Sequence, residues 1–297
     1  MKDKRILFTS IDGFIGLNIL NNFNVENCFF LTDKIKRVNT KSRVYYYKDF
    51  EKIIRLKKIN VIFNNRGILL GNVNKLNKVN YLDSKRVFNI TNKYKVDYFI
   101  NLDTNKALIS PRLPSTIIGH GKGMDYHFSK QSFREFFINT SSNFSRINIY
   151  CDIIYGPNDK LHKFVNKTVF EILNNDKNIN LYNPNLIRNF LYIDDFIKYI
   201  KKLLNSLDKV GSDYSEYFFS SKEFNSLENF IEIIKELLRS DIYIKVYRGN
   251  LYKRTNNVLM REFDNTKNPK WIRLNSTIDL KKGLKKVLKP FLEGDVK

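Results

Sequence analysis

Short apolar runs alternating with helix-period segments are the feature that most limits how this chain can fold. Arg5–Thr9, Cys28–Leu31, Val44–Tyr47, Val61–Phe63, Tyr98–Asn101 and Arg146–Tyr150 are runs of strand length. Among them, Phe14, Leu17, Ile19 and Leu20 fall at roughly helical spacing, and Phe50–Leu56, Tyr81–Tyr94 and Asp125–Ile138 read as helices. Strands separated by helices pair in parallel, because each helix carries the chain back to begin the next strand in the same direction. The rhythm predicts an α/β fold: a doubly wound parallel sheet with helices on both faces.

Beyond about residue 155 the rhythm loosens. Helical stretches at Phe164–Leu173, Asp195–Leu207 and Leu227–Leu238 alternate with strand-like pieces at Tyr217–Ser220 and Ile242–Tyr247, and Ser276-x-x-Asp279 reads as a capping box opening Leu280–Leu288. No linker rich in Pro, Gly or Ser interrupts the chain. The expected division is a Rossmann-like dinucleotide-binding domain over 1–155 and a smaller α/β lobe over 156–297, with the chain free to cross back.

Composition narrows the class. No run of eighteen apolar residues marks a membrane span, and the charged N-terminus lacks the features of a secretory signal. Cys28 and Cys151 are too few for a disulfide framework, so a cytoplasmic protein with free thiols is the simplest expectation. The formal net charge is +22. A nucleic-acid binder is one reading of it, but Lys, Asn and Ile are abundant throughout and no long basic block stands out, which favours compositional drift. His120, His127 and His162 have no metal-ligand spacing, so no metal is expected.

Two local patterns carry chemistry. In "LFTSIDGFIG" (7–16) a strand turns into a helix through Gly13 and Gly16. In dinucleotide folds one glycine of such a turn lets the backbone approach a pyrophosphate and another seats the helix against the sheet. Ser10 occupies the place of the first glycine, where a left-handed conformation would cost about 1 kcal/mol. The Asp12 carboxylate is expected to cap the helix and face away from the phosphates. Asp33, 17 residues after Gly16 at the end of the second strand, is placed to take the ribose hydroxyls of NAD. Lys34, Lys36 and Arg37 just beyond it are the counterweight, suited to a 2′-phosphate. The second pattern is "DYHFSK", which sets Tyr126 and Lys130 four apart on one helix face. An ammonium beside a phenol lowers its pKa and lets it exchange a proton with a substrate oxygen. Thr104, after the fifth strand, lies at the sheet edge where such folds bind ligands.

Together these residues resemble the extended short-chain dehydrogenase/reductases of the nucleotide-sugar epimerase and reductase group. "TSIDGFIG" is similar to that family's glycine loop except at Ser10, Thr104 stands for its Ser/Thr, and Tyr126 and Lys130 match its Tyr-x-x-x-Lys. "YGPND" (155–159), "RNFLYIDD" (188–195) and "DNTKNPKWI" (264–272) followed by "LKKGL" (280–284) resemble its later segments. "FINLDT", "CDIIYGPND" and "KRTNNVLM" (253–260) look nearest to the CDP-abequose and CDP-paratose synthases, which are 4-ketoreductases.

The resemblance implies NAD(H) or NADP(H) as cofactor, leaning to NAD(H). It would be held by Ser10, Asp12, Gly13, Phe14, Ile15, Gly16, Asp33, Lys34, Asn64, Asn65, Leu102, Tyr126 and Lys130. It implies Thr104, Tyr126 and Lys130 as catalytic residues, and Thr104, Asp152, Arg188 and Arg254 as contacts to a nucleotide sugar. A homodimer through a four-helix bundle is a further implication. "FNNRG" (63–67) departs from the family's small residues beside the cofactor, with Arg66 expected to point away and Asn64 and Asn65 to donate there. Asn105 and Lys106 replace the Asp-Glu pair of the family's dehydratases, which argues against a dehydratase. A C4 epimerase and a non-catalytic or RNA-binding member stay open beside the reductase.

Overall fold

Consecutive side chains of a strand face opposite sides of its sheet, and in this chain both sides are apolar and covered. The computed structural model describes residues 4–23, 26–34, 43–105, 108, 124–174, 178–241, 243–247 and 264–293. Strands β1 (Ile6–Phe8), β2 (Cys28–Thr32), β3 (Val44–Tyr46), β4 (Val61–Asn64), β5 (Tyr98–Thr104), β6 (Ser145–Cys151) and β10 (Tyr214–Phe218) form one sheet in the order β10-β6-β5-β4-β1-β2-β3. β1 pairs in parallel with β2 and β4, so Leu7 lies level with Phe29 and Ile62, and the pairs β2–β3 and β4–β5 are parallel as well. This is the expected Rossmann-like, doubly wound sheet.

Helices α1 (Phe14–Asn22), α2 (Phe50–Lys57), α3 (Val73–Leu76), α4 (Asp83–Thr91) and α5 (Met124–Asn139) belong to the same unit. One sheet face presents Leu7, Phe29, Ile62 and Phe99 to Ile53 and Ile54 of α2, Phe88 of α4 and Phe133 and Phe137 of α5, all buried. Phe88 sits at its centre, its ring 5.1–5.8 Å from those of Phe99, Phe136, Phe137 and Phe144. On the other face Phe8 meets Phe23, Phe30 and Phe63. Rings at this spacing bury large apolar area with favourable edge geometry, so this aromatic-rich chain has ring-on-ring cores on both sides.

Several element boundaries differ from expectation: the helix expected over 195–207 runs from Ile193 to Asn205, and the last helix continues past 288 to Leu292. The helix expected over 81–94 begins at Val73 and passes through a π-helical stretch, Asn77–Leu82, before α4. β5 continues past Asn101 to Thr104, because its polar residues find partners inside the sheet. The strand expected over 217–220 is β10, which ends at Phe218.

The chain divides into two units, Met1–Tyr150 with Ile200–Tyr217, and Cys151–Tyr199 with Phe218–Lys297. The division therefore falls after Tyr150 instead of 155, and residues 200–217 return to the first unit, since β10 lies beside β6 at the edge of its sheet. The second unit holds a three-stranded sheet, β11 (Phe224–Ser226), β9 (Ile187–Tyr192) and β7 (Ile153–Tyr155), and a two-stranded one, β12 (Tyr243–Tyr247) and β8 (Asn178–Tyr182). Its helices are α6 (Phe164–Leu173), the first half of α7 (Ile193–Asn205), α8 (Leu227–Leu238) and α9 (Leu280–Leu292). The cap of α9 is Asp279, whose carboxylate accepts the Lys282 N–H at 2.8 Å. Ser276, expected to cap this helix, instead accepts the Lys222 N–H at 3.0 Å, because the helix starts three residues later than a box opened by Ser276 requires. Among the described residues no helix is long and apolar enough to cross a membrane.

Candidate active site

The turn after β1 uses its two glycines differently. Gly13 is the N-cap of α1 in an extended conformation, and a Cβ placed there would have no heavy atom of the described residues within 4 Å. A Cβ on Gly16 would run into the Ser10 carbonyl and lie 2.6 Å from Ile11 Cα. Gly16 thus seats α1 on the loop, and Gly13 leaves open space at the helix N-terminus, where the dipole and first-turn N–H groups favour an anion. Ser10 does not take the left-handed backbone expected of it: the described non-glycine residues with positive φ are Lys58, Asn158, Asn183 and Arg239. The loop is held by a side chain instead. Asn65 Oδ1 accepts the Ser10 N–H at 3.1 Å, and Asn65 Nδ2 donates to the Ser10 carbonyl at 2.6 Å. Phe14 is buried and Ile15 half-buried.

Asp12 does not cap α1. Its carboxylate turns to the end of β2, where it accepts from the Thr32 hydroxyl and, at 3.0 Å, from the Asp33 N–H. The Lys34 N–H donates to that same hydroxyl at 3.0 Å. Arg66 does not point away. Its Nη1 lies 2.9 Å from Asp33, its Nε and Nη2 3.2 and 3.1 Å from Asp83, and its guanidinium 3.9 Å over the Tyr47 ring. Two carboxylates and an aromatic face draw the bulky side chain inward. Burial of Tyr47 beneath it pushes that phenol up, above the usual tyrosine range.

Asn64 and Asn65 spend their amides within the protein, Asn65 on Ser10 and Asn64 on a buried chain that crosses the sheet. The Thr9 hydroxyl donates to Asn64 (3.0 Å), Asn64 to Asn101 (3.0 Å), Asn101 to Asn148 (2.7 Å) and Asn148 to Asp103 (3.2 Å). The Asp103 carboxylate also accepts the Thr104 N–H at 2.9 Å and lies 3.7 Å from Lys130 Nζ. Burial pushes the Asp103 carboxyl up; Lys130, the Thr104 N–H, Asn148 and Arg134 oppose it.

Lys130 Nζ donates to the Leu102 carbonyl at 2.8 Å. Lys130 thus reaches the carboxyl end of β5, whose last two residues, Asp103 and Thr104, are buried. Tyr126 lies one turn before Lys130 on α5, half-buried, with its ring edge-on to His127 at 5.6 Å. Ser129, between them, donates to the Tyr126 carbonyl (2.8 Å) and accepts from Asn80 (2.9 Å), which joins the π-helical stretch to this turn of α5. Sequence reasoning passed over Asp103, Asn101 and Asn148. Their signal was polar residues inside the strand runs "FINLDT" and "RINIY".

In the second unit Asp152 Oδ2 accepts the Asn189 N–H at 3.0 Å, and its other oxygen is buried with no hydrogen-bond partner among the described residues. Arg188, neighbouring on β9, is buried, with Nη1 donating to the Ile187 carbonyl at 3.1 Å. Arg254, Lys36, Arg37 and Lys106 lie outside the described residues.

No protein-family model matches the chain, and no curated protein sequence does. Solved structures match it over almost its whole length. UDP-glucose 4-epimerase from Thermotoga maritima, solved with UDP-glucose, has a TM-score of 0.75 at 16% identity, covering 98% of this chain and 99% of that one. UDP-N-acetylglucosamine 4-epimerase from Methanobrevibacter ruminantium, in complex with UDP-N-acetylmuramic acid, has 0.75 at 17%, covering 99% and 100%. dTDP-glucose 4,6-dehydratase from Bacillus anthracis, in complex with NAD, has 0.70 at 18%, covering 98% and 97%. Likeness at this identity is likeness of fold: the chain is built on the same Rossmann-type α/β plan as these enzymes.

Proposed function

We propose that the protein is a dinucleotide-dependent oxidoreductase of a nucleotide sugar, and within that class an NAD(P)H-dependent 4-ketoreductase of a nucleoside-diphosphate 4-keto-deoxyhexose. The observation that carries the reading is Lys130 anchored on the Leu102 carbonyl beside Thr104, at the carboxyl end of β5, two strands across from the glycine turn. The space beside Gly13 fits a pyrophosphate approaching the α1 N-terminus. Asp33 accepts a ribose hydroxyl, which leans the choice to NAD(H), and Arg66, sharing its charge, tempers that preference. When bound, the reduced dinucleotide supplies the hydride.

The chain's own residues do the rest. Lys130 holds the nicotinamide ribose and favours ionisation of a phenol beside it. Thr104 donates a hydrogen bond to the keto oxygen, and Tyr126 passes its proton there as negative charge develops. Arg188 and Arg254 hold the diphosphate by charge-assisted bonds. Asp152, whose Oδ1 has no hydrogen-bond partner among the described residues, accepts a hydroxyl of the sugar or ribose. The resemblance further pairs two copies through α3–α4 and α5, whose Val73, Leu82 and Phe128 are exposed.

The kinship in fold with UDP-sugar 4-epimerases favours a second reading, a C4 epimerase that keeps its NAD bound. Purified protein decides between them. A reductase carries little bound dinucleotide and oxidises one reduced cofactor per CDP-linked 4-keto-dideoxyhexose consumed. Interconversion of two 4-hydroxy sugars without net cofactor change would establish the epimerase instead. In either case Tyr126→Phe loses about 10²–10⁴-fold in rate.

A further inference from the structure

We propose that Asp103 is a positioning residue: an anion held ionised inside the sheet that acts as counter-ion to Lys130. The proposal rests on the reading of Lys130 given above. A carboxylate can only accept hydrogen bonds, so Asn148 must turn its NH₂ toward Asp103, which leaves its carbonyl to accept from Asn101. The same logic orients Asn101 and then Asn64, back to the Thr9 hydroxyl. Each donor in the chain therefore points toward Asp103. Aligned amide dipoles reinforce one another in a low-dielectric interior and bring partial positive charge to the carboxylate. The chain begins at Thr9, next to the clamped Ser10 loop, and ends at Lys130. It joins the two places on the sheet edge where a dinucleotide is expected to touch.

Burial works against an anion here, since the Asp103 side chain is 0% exposed and that of Lys130 6%. Asp103 faces Lys130 and Arg134 of α5 and Tyr150 of β6. Tyr150 itself accepts from Arg134 at 2.9 Å and donates to Glu216 of β10 at 2.8 Å. Removing either Lys130 or the aligned amides leaves an anion the interior does not tolerate, and the carboxylate takes up a proton.

The test is a ¹³C-carboxyl NMR titration of aspartate-labelled protein, with the Asp103 signal assigned by its loss in Asp103→Asn. The signal is expected to be that of a carboxylate at neutral pH. In Lys130→Met and in Asn101→Leu its midpoint is expected to rise by at least about one pH unit. A protonated Asp103 at pH 7 in the wild type, or a midpoint unmoved in Lys130→Met, overturns the proposal; the latter variant suffices if Asn101→Leu does not fold. In turnover, Asp103→Asn is expected to move the alkaline limb of the kcat/KM profile to lower pH. The reason is that losing the anion makes the cation–phenol pair give up a proton more readily. The KM for the nucleotide sugar should stay within about twofold, because Asp103 does not touch it. An unmoved limb overturns the positioning role. If the wild type turns over no nucleotide sugar, the function proposed above fails, and the carboxyl titration still decides whether Asp103 is the counter-ion.

Discussion

Asn65 holds both backbone polar groups of Ser10, accepting from its N–H and donating to its carbonyl. A two-point amide clamp does in this loop what a first glycine would do through backbone freedom. Asn65→Ala removes both bonds and leaves partly buried groups unpaired, at a cost of about 1–3 kcal/mol. Chemical denaturation is expected to show that loss, and dinucleotide titration a weaker affinity. An Asn65→Ala protein of wild-type stability would show that the clamp is incidental.

The two glycines of the turn should separate folding from binding. Gly13→Val points its side chain into open space, so thermal unfolding is expected to stay near wild type while NAD(H) binding is lost. Gly16→Val forces its side chain against the backbone of Ser10 and Ile11 and is expected to destabilise the fold itself. Undiminished NAD(H) binding by folded Gly13→Val would remove the dinucleotide from this turn.

Arg66 shares the Asp33 carboxylate, and so sets how strongly that carboxylate repels a 2′-phosphate. Arg66→Ala exposes the full charge. The ratio of kcat/KM for NADH over NADPH is expected to rise about tenfold, which corresponds to about 1.4 kcal/mol. Asp33→Asn should move the ratio the other way. A ratio indifferent to both substitutions would place the adenosine ribose elsewhere.

Burial pushes the Cys28 thiol up to about 12, and Cys151 is buried as well. A thiol with such a pKa is about one part in 10⁴ thiolate at pH 8, and the thiolate is the reactive form. Iodoacetamide is therefore expected to leave both cysteines unmodified in the folded protein and to alkylate both in denaturant. Rapid native labelling of Cys28, read by mass spectrometry, would contradict the strand packing.

In the second unit, a Cβ on Gly283 would lie 2.7 Å from Tyr155 Cζ, so α9 rests on that ring through its glycine. Gly283→Ala is expected to lower stability by about 1–3 kcal/mol through overpacking. Asp279→Ala should cost about 1 kcal/mol through loss of the cap. Hydrogen bonding from the Lys282 N–H holds the Asp279 carboxyl below the usual carboxylate range. Its contribution is thus complete above about pH 4 and lost as pH falls through the lower folded value. Denaturation curves of wild type and Asp279→Ala should converge in acid.

Apolar periodicity made the strands and helices of the first unit legible, since burial on two sheet faces demands it. The polar interior was not legible. Asn64, Asn101, Asp103 and Asn148 are buried members of strands, and a reading that ends a strand at its first polar residue cuts β5 short. The abundance of asparagine looked like drift in composition. Yet Asn65, Asn80, Asn189 and Asn268 each bridge the N–H and carbonyl of a single residue, namely Ser10, Ile68, Ser221 and Phe218. Their partners lie 12 to 55 positions away, beyond any local pattern. The Asp33–Arg66 pair escaped for the same reason, while Tyr126 and Lys130, four apart on one helix, were visible at once.

The return of residues 200–217 to the first unit has a consequence for how the protein is made. Until β10 leaves the ribosome, β6 has no neighbour on its outer side, and Arg146 lacks both the Asp213 carbonyl and the Asp213 carboxylate. The buried Tyr150 hydroxyl likewise lacks Glu216. An unpaired, largely apolar strand edge is an invitation to other nascent chains. A fragment ending at residue 150 should aggregate, and one ending after 218 should close its sheet, so the outer edge of β6 stays uncovered until the intervening residues 151–213 and β10 itself have been translated.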